Sequence, residues 1–488
     1  MDLIEAVDRW GRDLPERAAH VSGTSVLTYA ELSLRSDQLA AHFVHTLPDD
    51  RSPIAVLGHK QNEMLVGFIA SIKAGHPYIP LDASLPAQRV TDTVEVARAV
   101  LFTAAQLNGI LAGSPPLGRV PGRSLGLDDI WYVIFTSGST GDPKGVMISR
   151  GSLESFLSWI LEEQGFRPGA EVFLNQAPFS FDLSVMDLYS SLATGGTLFS
   201  ISQDEISEPR RLFEALGRSG VTAWVSTPSF ARMCLMQPSF SAEMLPAVRK
   251  FWFCGETLAP EVAAGLLRRF PNAEVWNTYG PTEATVATTS LQITEEVIAQ
   301  FNPLPVGYVK PGSRIEVLDE AGAVLADNER GEIVISGPNV GHGYMNRSDL
   351  TSRSFSERNG QRAYRTGDAG HFESGLLFFE GRMDFQIKLH GYRIELGDIE
   401  SNLNRLKAIQ DAVVLPAMRD GRAEYLVAFA ILNESQQGSD FEVSQRLRRA
   451  LAERLPEYMV PRKFVFLQEF PTTANGKVDR QQLGRSIL

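Results

Sequence analysis

Residues 132–145 read YVIFTSGSTGDPKG. An apolar run passes directly into Thr136, Ser137, Gly138, Ser139, Thr140 and Gly141, and Lys144 follows before a second apolar run. Glycines and small hydroxyl residues let backbone N–H and side-chain O–H groups close around phosphate oxygens, and Lys144 adds a positive charge. The string is not a Walker A loop, because Lys144 lies between Pro143 and Gly145 and no Ser or Thr follows it. A Gly/Ser turn alone is usually only a hairpin; the ten-residue string is far more specific. The two cysteines, Cys234 and Cys254, exclude a disulfide framework and cannot form a structural zinc site alone. Nothing in the sequence supplies Cys254 with a histidine partner, so it reads as a small packed side chain and not as a nucleophile.

These residues need a large scaffold. The chain has 488 residues, more than one hydrophobic core supports, so at least two cores are expected. Apolar residues make up 43% and charged residues 21%, a globular balance that excludes a disordered, collagenous or coiled-coil chain. The net charge of −12 argues against a nucleic-acid or anionic-membrane partner. No signal peptide is visible at the start, and no apolar run approaches the roughly 20 residues that span a bilayer, so a cytoplasmic protein without membrane insertion is expected. Short strands at 27–29, 53–58 and 78–81 alternate with helices at 30–42 and 62–74, the latter closed by Gly75. Such alternation predicts a mostly parallel sheet covered on both faces. Residues 112–127 read as a Gly/Pro-rich loop, and 306–324 with 331–337 as antiparallel strands. Beyond a boundary near residue 384, a helix at 396–406, strands at 412–416 and 425–432 and a helix at 442–454 predict a small α+β domain. Residues 385–488 carry 15 Lys and Arg against 13 Asp and Glu, a balance of +2 that leaves −14 on the rest.

TSGSTGDPKG resembles the phosphate loop of the adenylate-forming superfamily, which comprises acyl-CoA synthetases, luciferases and peptide-synthetase adenylation domains. Further strings match in order along nearly the whole chain: LTYAEL at 27–32, KAGHPYIPLD at 73–82, NTYGPTE at 277–283, YRTGD at 364–368, GRMD at 381–384 and NGKVDR at 475–480. The resemblance implies an α/β, multidomain fold. Its large N-terminal adenylate-forming domain, 1–383, has layered α/β subdomains and a small β-barrel-like part. A small mobile α+β C-terminal domain, 384–488, turns about a hinge at Asp384. It also implies that ATP and Mg²⁺ bind at Thr136, Ser137, Gly138, Ser139, Thr140, Lys144, Asn277, Thr278, Tyr279, Gly280, Pro281, Thr282, Asp368, Phe379, Glu380, Gly381, Arg382 and Lys477. Tyr279 then offers a flat face to adenine and Asn277 a hydrogen bond to its edge. Thr282 holds the α-phosphate, and Glu283 is a hard oxygen ligand suited to Mg²⁺. Asp368 accepts from the ribose hydroxyls, and Arg382 reaches ribose or phosphate. The ordinary alternatives are a Gly-Pro turn, a turn aspartate and a surface ion pair of little worth. Lys477 is the catalytic residue the resemblance implies; a lysine this near the end of a chain is otherwise solvated. A cation bridging carboxylate and α-phosphate favours the transition state over the ground state.

In amino-acid-activating members an aspartate in the position of Asp182 pairs with the substrate ammonium. The ordinary alternative is that Asp182 caps the helix at 183–192. Residues 173–189, 226–230, 253–256 and 384–393 resemble the branch that activates D-alanine for teichoic acid D-alanylation. There Cys254 and Val286 line the side-chain pocket. The chain ends eleven residues after Lys477, with no phosphopantetheine attachment segment, so a separate carrier protein is expected. A monomer is also expected. A stand-alone adenylation enzyme for L-alanine, glycine or another small amino acid would carry nearly the same strings.

Overall fold

A computed structural model describes all residues except 1, 114–124, 137–142, 384–385, 390, 420–421, 434–437, 472–477 and 488. The chain divides into two compact units. The first comprises 1–83, 97–134 and 145–383; the second comprises 84–96, 135–144 and 384–488.

The first unit contains a nine-stranded sheet, parallel in its centre. Val172–Asn175, Ala223–Ser226, Lys250–Phe253 and Glu274–Tyr279 run side by side in register, and Thr197–Ser200 lies on the other flank of Val172–Asn175. In such sheets ligands bind beyond the carboxyl ends of the strands. The segments that leave those ends are the ones that carry Asp182, Thr227, Cys254 and Gly280. A second parallel array joins Ile54–Gly58 to Tyr78–Asp82 and to Val100–Thr103. Helix Leu183–Thr194, every residue of it buried, belongs to the central core. It buries polar as well as apolar side chains, Asp187 and Ser190 among them, and the polar ones need partners inside the core. Helix Asn62–Lys73 is similarly buried, and Gly75 ends it in the left-handed region at φ +84° as the sequence predicts. Helix Tyr29–Thr46 starts on a capping box between Thr28 and Glu31. The antiparallel part expected near 306–337 is a five-stranded sheet that extends to Arg382.

In the second unit Ile409–Arg419 pairs antiparallel with Arg422–Leu432, which in turn pairs parallel with Lys463–Leu467. Helices Leu396–Asn404 and Asp440–Ala452 bury Ile399, Leu403, Val443, Leu447 and Leu451 in that unit's core. The first strand is longer at both ends than expected and carries Pro416 opposite Leu426. The strand Lys463–Leu467 escaped the sequence reading. The fold is the α/β, multidomain class expected.

Candidate active site

Asp368 lies on the long strand Gln361–Glu373 and is 3% exposed. The Tyr279 hydroxyl donates to its Oδ2 at 2.6 Å and the Arg382 Nη1 to its Oδ1 at 2.7 Å. Arg382 also donates to the Thr366 carbonyl at 2.7 Å. Burial, and then the charge of Asp368, holds the Tyr279 hydroxyl proton well above the usual phenol range, so Tyr279 remains a donor. The Phe379 ring lies 5.8 Å from that of Tyr279. Tyr279, Asp368, Phe379 and Arg382 therefore meet in one corner. Glu380, the neighbour of Phe379, is exposed and pairs instead with His371 and Arg330.

The 277–283 segment is braced from behind. Asn277 Nδ2 donates to the Pro305 carbonyl at 2.8 Å and Thr278 Oγ1 to the Phe253 carbonyl at 2.9 Å. Gly280 is required, since a Cβ there would stand 2.7 Å from the Ala287 Cα. Pro281 leads into a single turn, Thr282–Ala284. Thr282 is 7% exposed and Glu283 wholly buried. Tyr344, which the sequence reading missed, donates its hydroxyl to Glu283 Oε1 at 2.7 Å. Among the described residues no cluster of three His, Cys, Asp or Glu side chains forms a metal cage. One buried carboxylate still fits Mg²⁺, which keeps waters and takes its other ligands from phosphates.

Asp182 stands at the N-cap of Leu183–Thr194 with helical φ −65° and ψ −24°, and its side chain makes no capping bond. The ordinary reading of Asp182 as a helix cap is thereby excluded. Cys254 is 4% exposed, and its Sγ–H donates to the Val286 carbonyl at 3.4 Å. Thr285 and Val286 both occupy the left-handed region, at φ +53° and +67°. Two consecutive β-branched residues there are strained. Asn339, also missed from sequence, holds them: its Nδ2 donates to the Ala284 carbonyl and to Thr288 Oγ1, and its carbonyl accepts from Thr285 Oγ1. Neither Tyr344 nor Asn339 carries a spacing signal; each shows itself only when 339–344 packs along 283–288.

In the second unit Lys144 Nζ lies 3.2 Å from Glu395 Oε1, and the buried Thr136 hydroxyl has no hydrogen-bond partner among the described residues. An orphan hydroxyl at the start of a Gly/Ser loop suits a phosphate oxygen. Ser137, Gly138, Ser139, Thr140, Asp384 and Lys477 lie outside the described residues. The flanks of the Lys477 segment are described: Asp479 N donates to the Pro471 carbonyl at 2.7 Å, and Arg480 grips both oxygens of Glu400 at 2.7 and 2.8 Å.

Layered sheets with a tyrosine- and arginine-held aspartate beside a Gly-Pro turn are the frame of an adenylate-forming enzyme. The chain belongs to the AMP-binding enzyme family, whose model matches residues 7–345, while the model for the AMP-binding enzyme C-terminal domain matches residues 398–477. More narrowly, it is 47% identical over 501 aligned residues to the D-alanine--D-alanyl carrier protein ligase of Bacillus licheniformis, covering 100% of both chains. It is 46% identical over 498 residues to the protein of that name from Bacillus anthracis, covering 99% of each. Among solved structures, the Vibrio cholerae adenylation domain AlmE in complex with glycyl-adenosine-5'-phosphate superposes with a TM-score of 0.85 at 21% identity, over 99% of this chain and 96% of that one. An NRPS protein containing adenylation and PCP domains gives 0.80 at 25% identity, over 99% and 84%. No described helix is long and apolar enough to cross a membrane.

Proposed function

We propose that this enzyme joins D-alanine to ATP as D-alanyl-AMP, releasing pyrophosphate, and then transfers the D-alanyl group to the phosphopantetheine thiol of a separate carrier protein. The observation that carries this reading is identity of 46–47% along the full chain to relatives that bear that name. The position of Asp182 at the start of helix Leu183–Thr194, where its side chain makes no capping bond, supports an amino-acid substrate.

In the first half-reaction a D-alanine carboxylate oxygen attacks the α-phosphorus and the bond to pyrophosphate breaks. Asp368 accepts from the ribose, with Tyr279 and Arg382 fixing its two oxygens. Thr136, with Ser137, Gly138, Ser139, Thr140 and Lys144, contacts phosphate oxygens. Glu283 would hold Mg²⁺, which neutralises phosphate charge when bound. Lys477 draws the carboxylate and the α-phosphate together; it moves no proton, because the carboxylate is already ionised. Asp182 pairs with the ammonium, and Cys254 and Val286 bound the methyl group. In the second half-reaction the thiol sulfur attacks the acyl carbon, the bond to AMP breaks and the thiol proton passes to solvent. Reuse of one site for both steps calls for a domain move, for which Asp384 is the hinge. The thioester product suits later transfer to teichoic acid hydroxyls. A monomer working in the cytoplasm, where ATP is at hand, fits the reading.

ATP–pyrophosphate exchange with D-alanine, L-alanine, glycine and larger amino acids tests it, followed by loading of a phosphopantetheinylated carrier. D-alanine is expected to give the highest kcat/KM. A preference for L-alanine or glycine overturns the substrate assignment, and exchange without carrier loading overturns the second step.

A further inference from the structure

A lysine that the chemistry above does not use is the most deeply buried cation of the first unit's described residues. Lys60 is 1% exposed and lies in the turn after strand Ile54–Gly58, in the left-handed region at φ +58°. Its Nζ donates to three backbone carbonyls: Asn175 at 3.1 Å, Gln176 at 2.7 Å and Ile201 at 2.7 Å. These lie at and just beyond the carboxyl ends of two adjacent strands, Val172–Asn175 and Thr197–Ser200. Asn175 carries the network onward. Its Nδ2 donates to the Ala177 carbonyl at 3.0 Å and to Asp187 Oδ1 at 3.1 Å, and its Oδ1 accepts from Ser200 Oγ at 2.8 Å. Asp187 is wholly buried on helix Leu183–Thr194.

Asp182 sits in the middle of this arrangement. Before it, the carbonyls of 175, 176 and 177 are held by Lys60 and Asn175; after it, Asp187 is held by the same asparagine. We infer that Lys60 is a positioning residue for the amino-acid site: its ammonium fastens the backbone that enters the 176–182 segment, so that the Asp182 carboxylate stands where a substrate ammonium meets it. The inference rests on the role proposed above for Asp182.

Three carbonyls need three N–H donors. An ammonium has three, whereas the neutral amine has two and turns a lone pair on the third carbonyl. The clamp is therefore the protonated lysine. Burial pushes the Lys60 pKa down to about 7, opposed by the charges of Asp187, Asp82 and Glu205. Of the other titratable groups around it, Asp187 is itself held well above the usual carboxylate range by burial, His59 Nδ1 lies 2.8 Å from Asp82 Oδ2, and His20, buried against Ser200, is held neutral with a pKa of about 3, chiefly by burial. The stability and functional trends of Lys60 then have opposite signs. The unfolded chain keeps the lysine proton up to its ordinary value of 10.5, so fold stability gains as pH rises from about 7 toward that value. Over the first part of that window the clamp loses a donor, and hold on the amino acid weakens.

The test is ATP–pyrophosphate exchange by the full-length enzyme at pH values from about 6 to 8.5, with KM read separately for D-alanine and ATP. In the unmodified enzyme the D-alanine KM is expected to rise several-fold across this range while the ATP KM holds within about twofold. In Lys60→Met the D-alanine KM is expected to be raised about tenfold or more already at pH 6 and to be flat with pH, again with the ATP KM little changed. Should Lys60→Met fail to fold, the profile of the unmodified enzyme decides alone: a D-alanine KM flat with pH overturns the clamp. Equal rises in both KM values in the variant, or none, also overturn it. If the unmodified enzyme shows no D-alanine-dependent exchange at any pH, the proposed substrate fails instead, and that outcome is distinguishable from failure of the clamp.

Discussion

At the scale of single residues, the proposed chemistry places its heaviest demand on Lys477. Its ammonium is required only when negative charge gathers on the phosphoryl oxygens, so its loss should act on the rate far more than on binding. Lys477→Ala is expected to lower kcat for adenylate formation by roughly 10²–10³, about 3–4 kcal/mol, with ATP affinity reduced only modestly. Single-turnover adenylation beside nucleotide titration reads both, and an unchanged rate removes Lys477 from the chemistry. Tyr132 gives the opposite kind of expectation. It is wholly buried, its hydroxyl has no hydrogen-bond partner among the described residues, and burial, followed by the charge of Asp182, keeps the hydroxyl protonated. A buried hydroxyl without a partner has already lost its bonds to water, so removing it should cost nothing. Tyr132→Phe is expected to leave stability unchanged or raised by up to ~1 kcal/mol. Chemical denaturation checks this, and a loss beyond ~1 kcal/mol would show that the hydroxyl does bond in solution.

At the scale of elements, the amino-acid pocket depends on segments that hold one another in unfavourable shapes. Thr285 and Val286 keep left-handed backbones because Asn339 bonds the residues on either side of them. Asn339→Ala leaves the Ala284 carbonyl and the Thr288 hydroxyl with a lost donor in a buried place, and Ser313 Oγ without its acceptor. The expected cost is ~2–3 kcal/mol of stability, together with weakened discrimination between D-alanine and larger amino acids in pyrophosphate exchange. Undiminished discrimination would mean that the strained wall does not shape the pocket. The same elements show what a sequence can tell. Helix Asn62–Lys73 and its glycine stop were readable because both signals are local: a continuous apolar run, and a residue that enters the left-handed region at no steric cost. Strand Ile409–Arg419 was read short because Pro416 and flanking polar residues mask a ladder that Arg422–Leu432 imposes from across the sheet. Asp182 was legible as a residue type, but whether it caps its helix depends on a backbone angle that no spacing encodes. Lys60 was illegible. A lysine after a strand reads as solvated, and its partners are backbone carbonyls more than 100 positions away, which leave no mark on the sequence.

At the scale of the whole molecule the uneven charge is the feature that local chemistry does not explain. Residues 385–488 balance at +2 within a chain of −12. A carrier of acidic character would be repelled by most of this chain and least by that portion. Opposed fields of this kind act on encounter and orientation more than on the strength of the final contact. Because the attraction involves exposed groups, it is screened over about 10 Å at 0.1 M salt and about 3 Å at 1 M. D-alanine and ATP are small, and the groups proposed to bind them, such as Asp368 and Glu283, are buried, so their use of the site should respond little to salt. The two half-reactions are therefore expected to separate. Between roughly 0.05 and 0.5 M salt, kcat/KM for carrier loading should fall several-fold while pyrophosphate exchange holds nearly constant. If both respond alike, salt is acting on the shared site and not on the meeting of two proteins. If neither responds, the basic character of the C-terminal residues has no part in recognising the carrier, and recognition must rest on shape and on the phosphopantetheine arm.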